Sequence, residues 1–461
     1  MTSTRRGGSP ACREPWYTPA VVSLALFLRS LQIAWALGTI PLRYLARQLT
    51  TESPPSIETR ERWWGELLAS ALESLGATFV KFGQILGSRP DLLPPGILAA
   101  MARLQDDVQP LPYAVIDRVL CDAWGEVRDD IEVMREPMAA ASVAQVHEGR
   151  LPSGEKIAIK VQRPEARAQI ERDLVLMRLG ARLLDLVPSL HLLSLPGAME
   201  RFGAALHDQL DFRKEAANNR RLAQNFRREK KVRVPALHDA LCTGEVLTME
   251  LARGVKATAP EAVGASLDDE ARRLARAELA ARGGRAILKM VFEDGFVHAD
   301  LHPGNILLAD DGTMTFLDLG MVAEIAPDLM RPWVDTFSAL AERNGARAAE
   351  LFYTFAPYAE VEDYAAYERD VSSYLERLYG AKLAEVEISV VVSGMMNVLR
   401  RHRVQVDPVF TVVNVALLVA EGLGKQLDPH VDLVLLAVPY LLAAQLSAPP
   451  GRAPNREIPR I

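Results

Sequence analysis

Apolar residues recur at three- and four-residue spacing through most of this chain, interrupted near its middle by short alternating runs. Between Ile57 and Gly125 the spacing is helical, with Trp63, Leu67, Leu68, Ala71, Leu72 and Leu75 in register on one face. Pro54-Pro55 precedes this stretch, Pro90, Pro94 and Pro95 punctuate it, and Pro110 and Pro112 do so again. From about Ile131 to Val161 the text changes to β-type runs. Val143–Val146 and Ile157–Ile159 flank Pro152-Ser-Gly154, which reads as a hairpin turn. Helical spacing returns over Glu165–Leu186 and Met199–Arg228, and Val246–Met249 reads as another strand. From Leu267 onward the pattern is helical, apart from two short strands, Asn305–Leu308 and Met314–Leu317, around a turn at Asp310-Asp-Gly312.

This pattern predicts an α+β chain without internal repeats. It divides into an N-terminal basic and apolar helix (1–56), a helical extension (57–130), a β-containing lobe (131–255), a helical lobe (256–446) and a Pro-rich tail expected to be disordered (447–461). In the first segment, Ala20–Leu28 and Leu31–Ile40 are apolar with Arg29 between them. Residues 1–50 hold six Arg and one acid, Glu14. A span would carry Arg29 near mid-bilayer at about 2.5–3.5 kcal/mol, which favours a helix lying on a membrane surface or packed on the core. A true span, or a secretory signal cut near Ala34-Trp35-Ala36, stands as the alternative. The apolar run Leu433–Ala444 contains Pro439 and is shorter than the roughly 20 residues a bilayer needs. It is expected to be a buried helix of the second lobe.

Composition narrows the picture only a little. The length of 461 residues suits two lobes and an extension, and 49% hydrophobic with 24% charged residues is ordinary for a globular chain. A net charge of -6 argues against a nucleic-acid partner. Cys12, Cys121 and Cys242 are far apart and form no CxxC pair, so they support neither a disulfide framework nor a zinc site.

The chemistry is concentrated in Val297-His-Ala-Asp-Leu-His-Pro-Gly-Asn-Ile306 and, thirteen residues after Asn305, in Asp318-Leu-Gly320. Phosphoryl transfer needs a carboxylate beside the attacking oxygen and oxygen ligands that hold Mg²⁺ on the phosphates. Asp300 and Asn305 match the base and the metal-binding Asn of the kinase element H-R-D-x-x-x-x-N, and Asp318 matches the Asp of D-F-G. Lys160 in Ile157-Ala-Ile-Lys160-Val161 matches the strand lysine that contacts the α/β-phosphates. His298 reads as structural, holding its loop by hydrogen bonds. Upstream, where a Gly-rich phosphate loop belongs, the chain has Ala139-Ala140-Ala141-Ser142. Alanine methyls keep a backbone further from phosphates than glycine does. Met249-Glu250-Leu251 reads as a hinge whose backbone, at Glu250 and Leu251, would hold the adenine. The carboxylate partner of Lys160 is ambiguous by spacing, Glu171 being the first candidate.

A further motif, Lys81-Phe-Gly-Gln84, lies inside Thr78-Phe-Val-Lys-Phe-Gly-Gln-Ile-Leu-Gly-Ser-Arg-Pro-Asp-Leu-Leu-Pro94. With it, the chain resembles the UbiB/AarF family of atypical protein-kinase-like proteins. That family's marks are K-x-G-Q, an alanine-rich nucleotide loop, H-x-D-x-H-P-x-N and D-x-G. The resemblance runs from about Ile57 to Val322. It implies a bilobal kinase-like fold with a small β-containing N-lobe, a helical C-lobe and a helical N-terminal extension. The K-x-G-Q segment would lie across the place of a protein substrate, with Lys81, Gly83 and Gln84 occluding the site.

By the same resemblance, Gln209-Leu-Asp211-Phe-Arg-Lys-Glu215 looks like the family's E-x-D helix, which points to Glu215 rather than Glu171 as the partner of Lys160. Gln209 stands where the family has Glu, so its contact to Lys81 is expected to be a hydrogen bond instead of an ion pair. The implied cofactors are ATP or ADP and Mg²⁺. The implied activity is ATP hydrolysis, or phosphorylation of a lipid or small molecule, supporting isoprenoid-quinone metabolism at the cytoplasmic face of a membrane. A lipid or quinone precursor would be the ligand. A homodimer or quinone-biosynthesis proteins would be the partners. A nucleotide-binding pseudokinase scaffold and a small-molecule phosphotransferase of the aminoglycoside/choline-kinase type are the alternatives, and the latter gives no reason for Lys81-Phe-Gly-Gln84.

Overall fold

The computed structural model describes residues 19–51, 54–87, 93–101, 103–104, 108–186, 195–378 and 388–459. The extension is built from α1 (Pro19–Gly38), α2 (Ile40–Leu49), α3 (Ile57–Leu75), α4 (Ala77–Gly87) and α5 (Pro95–Met101). Ser56 starts α3 by accepting the Thr59 N–H, and Gly76, at φ 88°, lets the chain turn at once into α4. Leu72, Leu75, Phe79, Val80, Ala100 and Met101 close a core among α3, α4 and α5. Ser88, Arg89, Pro90, Asp91 and Leu92, within the quoted K-x-G-Q stretch, lie outside the described residues, as do residues 1–18.

The next elements are α6 (Tyr113–Trp124), β1 (Glu132–Ala140), β2 (Ala144–Arg150), β3 (Lys156–Gln162), α7 (Ala166–Leu184), α8 (Leu195–Gln209), α9 (Phe212–Asn225), β4 (Val232–Arg233) and β5 (Val246–Glu250). An antiparallel sheet orders them β1-β2-β3-β5. Strand alternation then fixes the faces. Ile157, Ile159 and Val161 of β3 pack on Ile116, Leu120 and Trp124 of α6, so Lys160 points the other way, toward α9. There Leu247 joins Leu174, Phe202, Leu206 and Phe212 from α7, α8 and α9.

The second lobe carries β6 (Val255–Lys256), α10 (Asp269–Phe292), β7 (Phe296–His298), β8 (Ile306–Leu308), β9 (Met314–Phe316), β10 (Val322–Glu324), α11 (Pro327–Ala341), α12 (Gly345–Phe355), α13 (Tyr364–Leu378), α14 (Ile388–Arg401), α15 (Pro408–Leu427) and α16 (Leu433–Ser447). Its small sheet runs β4-β9-β8-β6, so β4 from the first lobe's sequence pairs parallel with β9 in the second. β10 pairs with β7. The two-lobed α+β arrangement is the one the sequence predicts.

Two expectations are corrected. The apolar run expected to be a buried helix forms α16, but only one side of it is covered. Leu433 and Ala444 are buried, whereas Leu435, Val438, Leu442 and Leu446 face outward. A helix apolar all round has more apolar surface than α10 and α11 can cover. The tail, expected to be free, lies against the lobe. The Arg452 N–H donates to Asp328 O, and Asn455 Nδ2 donates to Phe355 O and Ala356 O at the end of α12, serving carbonyls that the helix leaves open. Among the described residues, α15 is long and apolar enough to cross a membrane. It is more than half buried against α10 and the lobe core, as a core helix would be.

Candidate active site

Lys160 is aimed into the cleft from β3, and α9 supplies its partner. Asp211 caps α9 by accepting the Arg213 N–H at 3.1 Å. Glu215 then falls one turn into the helix, facing the sheet. Lys160 Nζ donates to both Glu215 oxygens at 2.9 and 2.8 Å and to Asp318 Oδ1 at 2.9 Å, with the Phe212 ring 5.4 Å away. Glu215 is thus the partner. Glu171 lies exposed on α7 and takes no part.

Burial pushes Glu215 up to about 7, although the Lys160 ammonium pulls the other way. For Lys160, burial works downward, but Asp318 and Glu215 prevail and hold its ammonium above the usual lysine range. Around Asp318 the enclosure of the cleft works upward, and Lys160 overcomes it, keeping the carboxylate well below its usual range.

The β8–β9 hairpin brings the other groups together. The Leu317 N–H donates to Asn305 O at 2.8 Å, which places Asn305 beside the entry to Asp318. Asn305 Nδ2 donates to Asp300 O at 3.1 Å, leaving its carboxamide oxygen for another partner. Asp318 sits at φ 51°, a left-handed conformation that aspartate tolerates. Its Oδ1 accepts the Gly320 N–H at 3.3 Å, and Oδ2 accepts no hydrogen bond among the described residues. One carboxylate and one carboxamide oxygen are hard donors of the kind Mg²⁺ takes together with phosphate oxygens and water. The residues therefore fit that ion.

The Asp300 carboxylate accepts no hydrogen bond among the described residues. His298 is structural, as read: its Nε2 meets Leu317 O at 2.9 Å and its Nδ1 accepts the Asp300 N–H at 3.2 Å. Burial lowers its pKa, so the ring serves as a neutral bridge.

Ala139 and Ala140 end β1, paired with Val146 and Gln145 of β2, and Ala141 and Ser142 enter the tight turn between the strands, closed by Ala141 N–H to Ala144 O at 2.8 Å. At the hinge, both named N–H groups are already engaged, Glu250 with Ala236 O at 2.8 Å and Leu251 with Lys156 O at 3.3 Å. The next residue, Ala252, has an N–H without a partner among the described residues and is the free donor that sequence reasoning missed. Asn218 was missed as well. It lies three residues after Glu215 on the same helix face, and its Nδ2 donates to Leu319 O at 2.9 Å, tying α9 to the Asp318 loop.

Lys81 stands close enough to Glu215 and Asp318 for its charge to pull on both carboxyls; it adds to Lys160 in keeping Asp318 low, whereas at Glu215 burial outweighs it. Gln84 Nε2 donates to Leu104 O at 3.2 Å, and Gly83 is a close-packing position under Leu104 and Leu72. The expected Gln209–Lys81 hydrogen bond is not formed. Gln209 Nε2 is buried without a partner, and Asp211 is occupied at the cap of α9. Both lie at the α8–α9 junction, where their geometry serves the turn.

The ABC1 atypical kinase-like domain matches residues 103–352, and the UbiB helical domain matches residues 371–432. The chain belongs to the UbiB family of ABC1-type atypical kinase-like proteins. It is 33% identical over 415 residues to a probable protein kinase UbiB of Sodalis glossinidius, covering 87% of this chain and 74% of that protein. It is 34% identical over 393 residues to a probable protein kinase UbiB of Aeromonas hydrophila, covering 82% and 69%. The solved complex of Rv3197 with erythromycin from Mycobacterium tuberculosis aligns at TM-score 0.44 and 21% identity, over 70% of this chain and 84% of that one. The UbiB helical match begins inside α13, a division of the second lobe that its apolar pattern does not mark.

Proposed function

We propose that this UbiB-family chain is a Mg²⁺-dependent ATPase or phosphotransferase that works at a membrane surface in isoprenoid-quinone metabolism and does not phosphorylate proteins in trans. The observation that carries this reading is the convergence of Lys160, Glu215 and Asp318 within 3 Å, beside Asp300 and Asn305. Lys160, held by Glu215, would contact the α/β-phosphates. Asn305 and Asp318 would hold Mg²⁺, which supplies charge neutralisation on the phosphates. Asp300 would accept the proton of the attacking water or lipid hydroxyl. Ala252 would take the adenine edge. Lys81 beside the two carboxylates supports a site closed to a protein substrate.

Membrane contact is supported by the outer faces of α1 and α2. Leu24, Phe27, Leu28, Leu31 and Trp35, then Leu42, Leu45 and Leu49, are exposed, with Arg43 and Arg47 among them. The test is ATP hydrolysis by the purified protein with and without anionic liposomes. Turnover that needs Mg²⁺ and rises with liposomes is expected. Bound nucleotide with no turnover under either condition would replace this reading with that of a scaffold.

A further inference from the structure

A second site lies in the helical lobe, away from the cleft. Helices α10, α11, α14, α15 and α16 enclose a cavity of about 170 Å³. Its inner wall is Leu288, Trp333, Met396 and Leu417, all nearly inaccessible to solvent. Its rim includes Ala341 at the end of α11 and Val438 on α16, both exposed. No charged residue lines it among the described residues. Thr336 turns its hydroxyl into its own helix, donating to Pro332 O at 2.7 Å.

Two polar groups on the lining are left over. Asn414 is 5% exposed and its carboxamide has no hydrogen-bond partner among the described residues. Trp333 Nε1 is likewise buried without an acceptor. Buried polar groups are ordinarily satisfied, and an orphan on the wall of a cavity calls for a ligand atom. An apolar cavity of about 150 Å³ stays dry and takes a benzene ring, so this one suits a ring-sized or short-chain apolar group better than water.

Outside the rim, Leu435, Val438, Leu442 and Leu446 form one exposed stripe along α16, at helical spacing and continuous with the opening at Val438. A longer chain leaving the cavity would lie on that stripe.

We propose that this cavity binds one end of an uncharged long-chain lipid, a hydrocarbon with a hydroxyl or carbonyl that hydrogen-bonds Asn414. The described lining offers no cation, which turns away carboxylate and phosphate heads, since a buried charge without a partner is strongly disfavoured. The site is separate from the nucleotide cleft, and the inference does not depend on what the cleft does.

The experiment titrates full-length protein with farnesol, with palmitate as the charged control, by calorimetry and by the change in tryptophan fluorescence. Saturable binding of one farnesol per chain is expected, with palmitate at least ten-fold weaker. Ala437→Phe, which fills the rim from α16, and Leu417→Trp, which fills the interior, should each weaken farnesol at least ten-fold. Asn414→Leu should weaken farnesol and leave the matching hydrocarbon unaffected. Asp318→Asn in the cleft should change nothing, and a loss of farnesol binding there would move the lipid to the cleft and overturn the proposal. Farnesol binding unchanged in a filled variant whose thermal midpoint is retained, palmitate binding as tightly as farnesol, or no saturable farnesol binding would each overturn it too. If Leu417→Trp fails to fold, Ala437→Phe decides.

Discussion

Lys160 and Asp318, 158 residues apart in the chain, meet at 2.9 Å across the cleft between the lobes. The ammonium is bonded to Oδ1, so a divalent cation held by Asp318 would share that carboxylate with Lys160. Asp318→Asn should weaken Mg²⁺-dependent nucleotide binding at least ten-fold. Titrating a fluorescent ATP analogue with and without Mg²⁺ measures this, and an unchanged Mg²⁺ dependence would remove Asp318 from the metal.

The Asp300 carboxylate accepts no hydrogen bond among the described residues, while its main chain is held at both ends by His298 and Asn305. Replacing its carboxylate with an amide keeps the loop and removes the group proposed as the base. Asp300→Asn should lower turnover by about 10²-fold or more, as for loss of a general base, with nucleotide affinity within a few-fold. Equal turnover would take the proton from elsewhere.

The chemistry-bearing part of the site was legible because its residues lie on short, locally specified elements. Asp300, Asn305 and Asp318 sit on one hairpin and its flanks, and Lys160 follows from strand alternation. The pairing of Lys160 with Glu215 spans 55 residues, and spacing alone favoured Glu171. Only the packing of α9 on the sheet settles it. The free N–H at the expected hinge falls one residue later, at Ala252, for a similar reason. The Glu250 and Leu251 N–H groups are taken by Ala236 and Lys156, partners set by tertiary structure. Gln209 shows the limit of motif transfer, because its side chain sits at the α8–α9 junction without reaching Lys81.

Glu215 carries a sign that can be read with a pH meter. Its pKa is about 7 in the folded protein against 4.5 ordinarily, so the folded state binds this proton more tightly than the unfolded one. The stability this carboxyl contributes is complete below pH 4.5 and is lost as pH rises through about 7. Its ion pair with Lys160 has the opposite course, forming as pH rises through the same value. Nucleotide affinity should therefore climb from about pH 6 to about pH 8 while the thermal midpoint drifts down from about pH 5. Glu215→Gln should flatten both trends, and slopes that persist would assign the titration to another group.

Gly83 tests whether the K-x-G-Q glycine acts by packing. A Cβ there would collide with Leu104 Cδ1 and stand 2.8 Å from Leu72 Cδ1, in the core of the extension. Overpacking of this kind costs about 1–3 kcal/mol, so Gly83→Ala should lower the urea midpoint by the equivalent amount. It should also loosen the helix that presents Lys81. Wild-type stability with lost turnover would instead mean that the glycine backbone itself meets the nucleotide.

Arg29, the residue that made a membrane span costly, is consumed inside the protein. Its Nε and Nη2 donate to the two oxygens of Asp173 on α7 at 2.7 and 3.0 Å, and Nη2 also reaches Leu75 O at 2.6 Å. Asp173 is 1% exposed and Arg29 22%, so the pair is shielded and fixes α1 to both α3 and α7. Removing one member of a buried pair costs about 3–5 kcal/mol, because the other charge is left without a partner. Arg29→Ala should therefore fall near the lower end of that range and expose α1 to protease. The double change Arg29→Leu with Asp173→Leu should recover much of the loss, since neither charge then remains. A neutral Arg29→Ala would mean that α1 is held by its apolar contacts instead, and that Asp173 finds another donor when the arginine is gone.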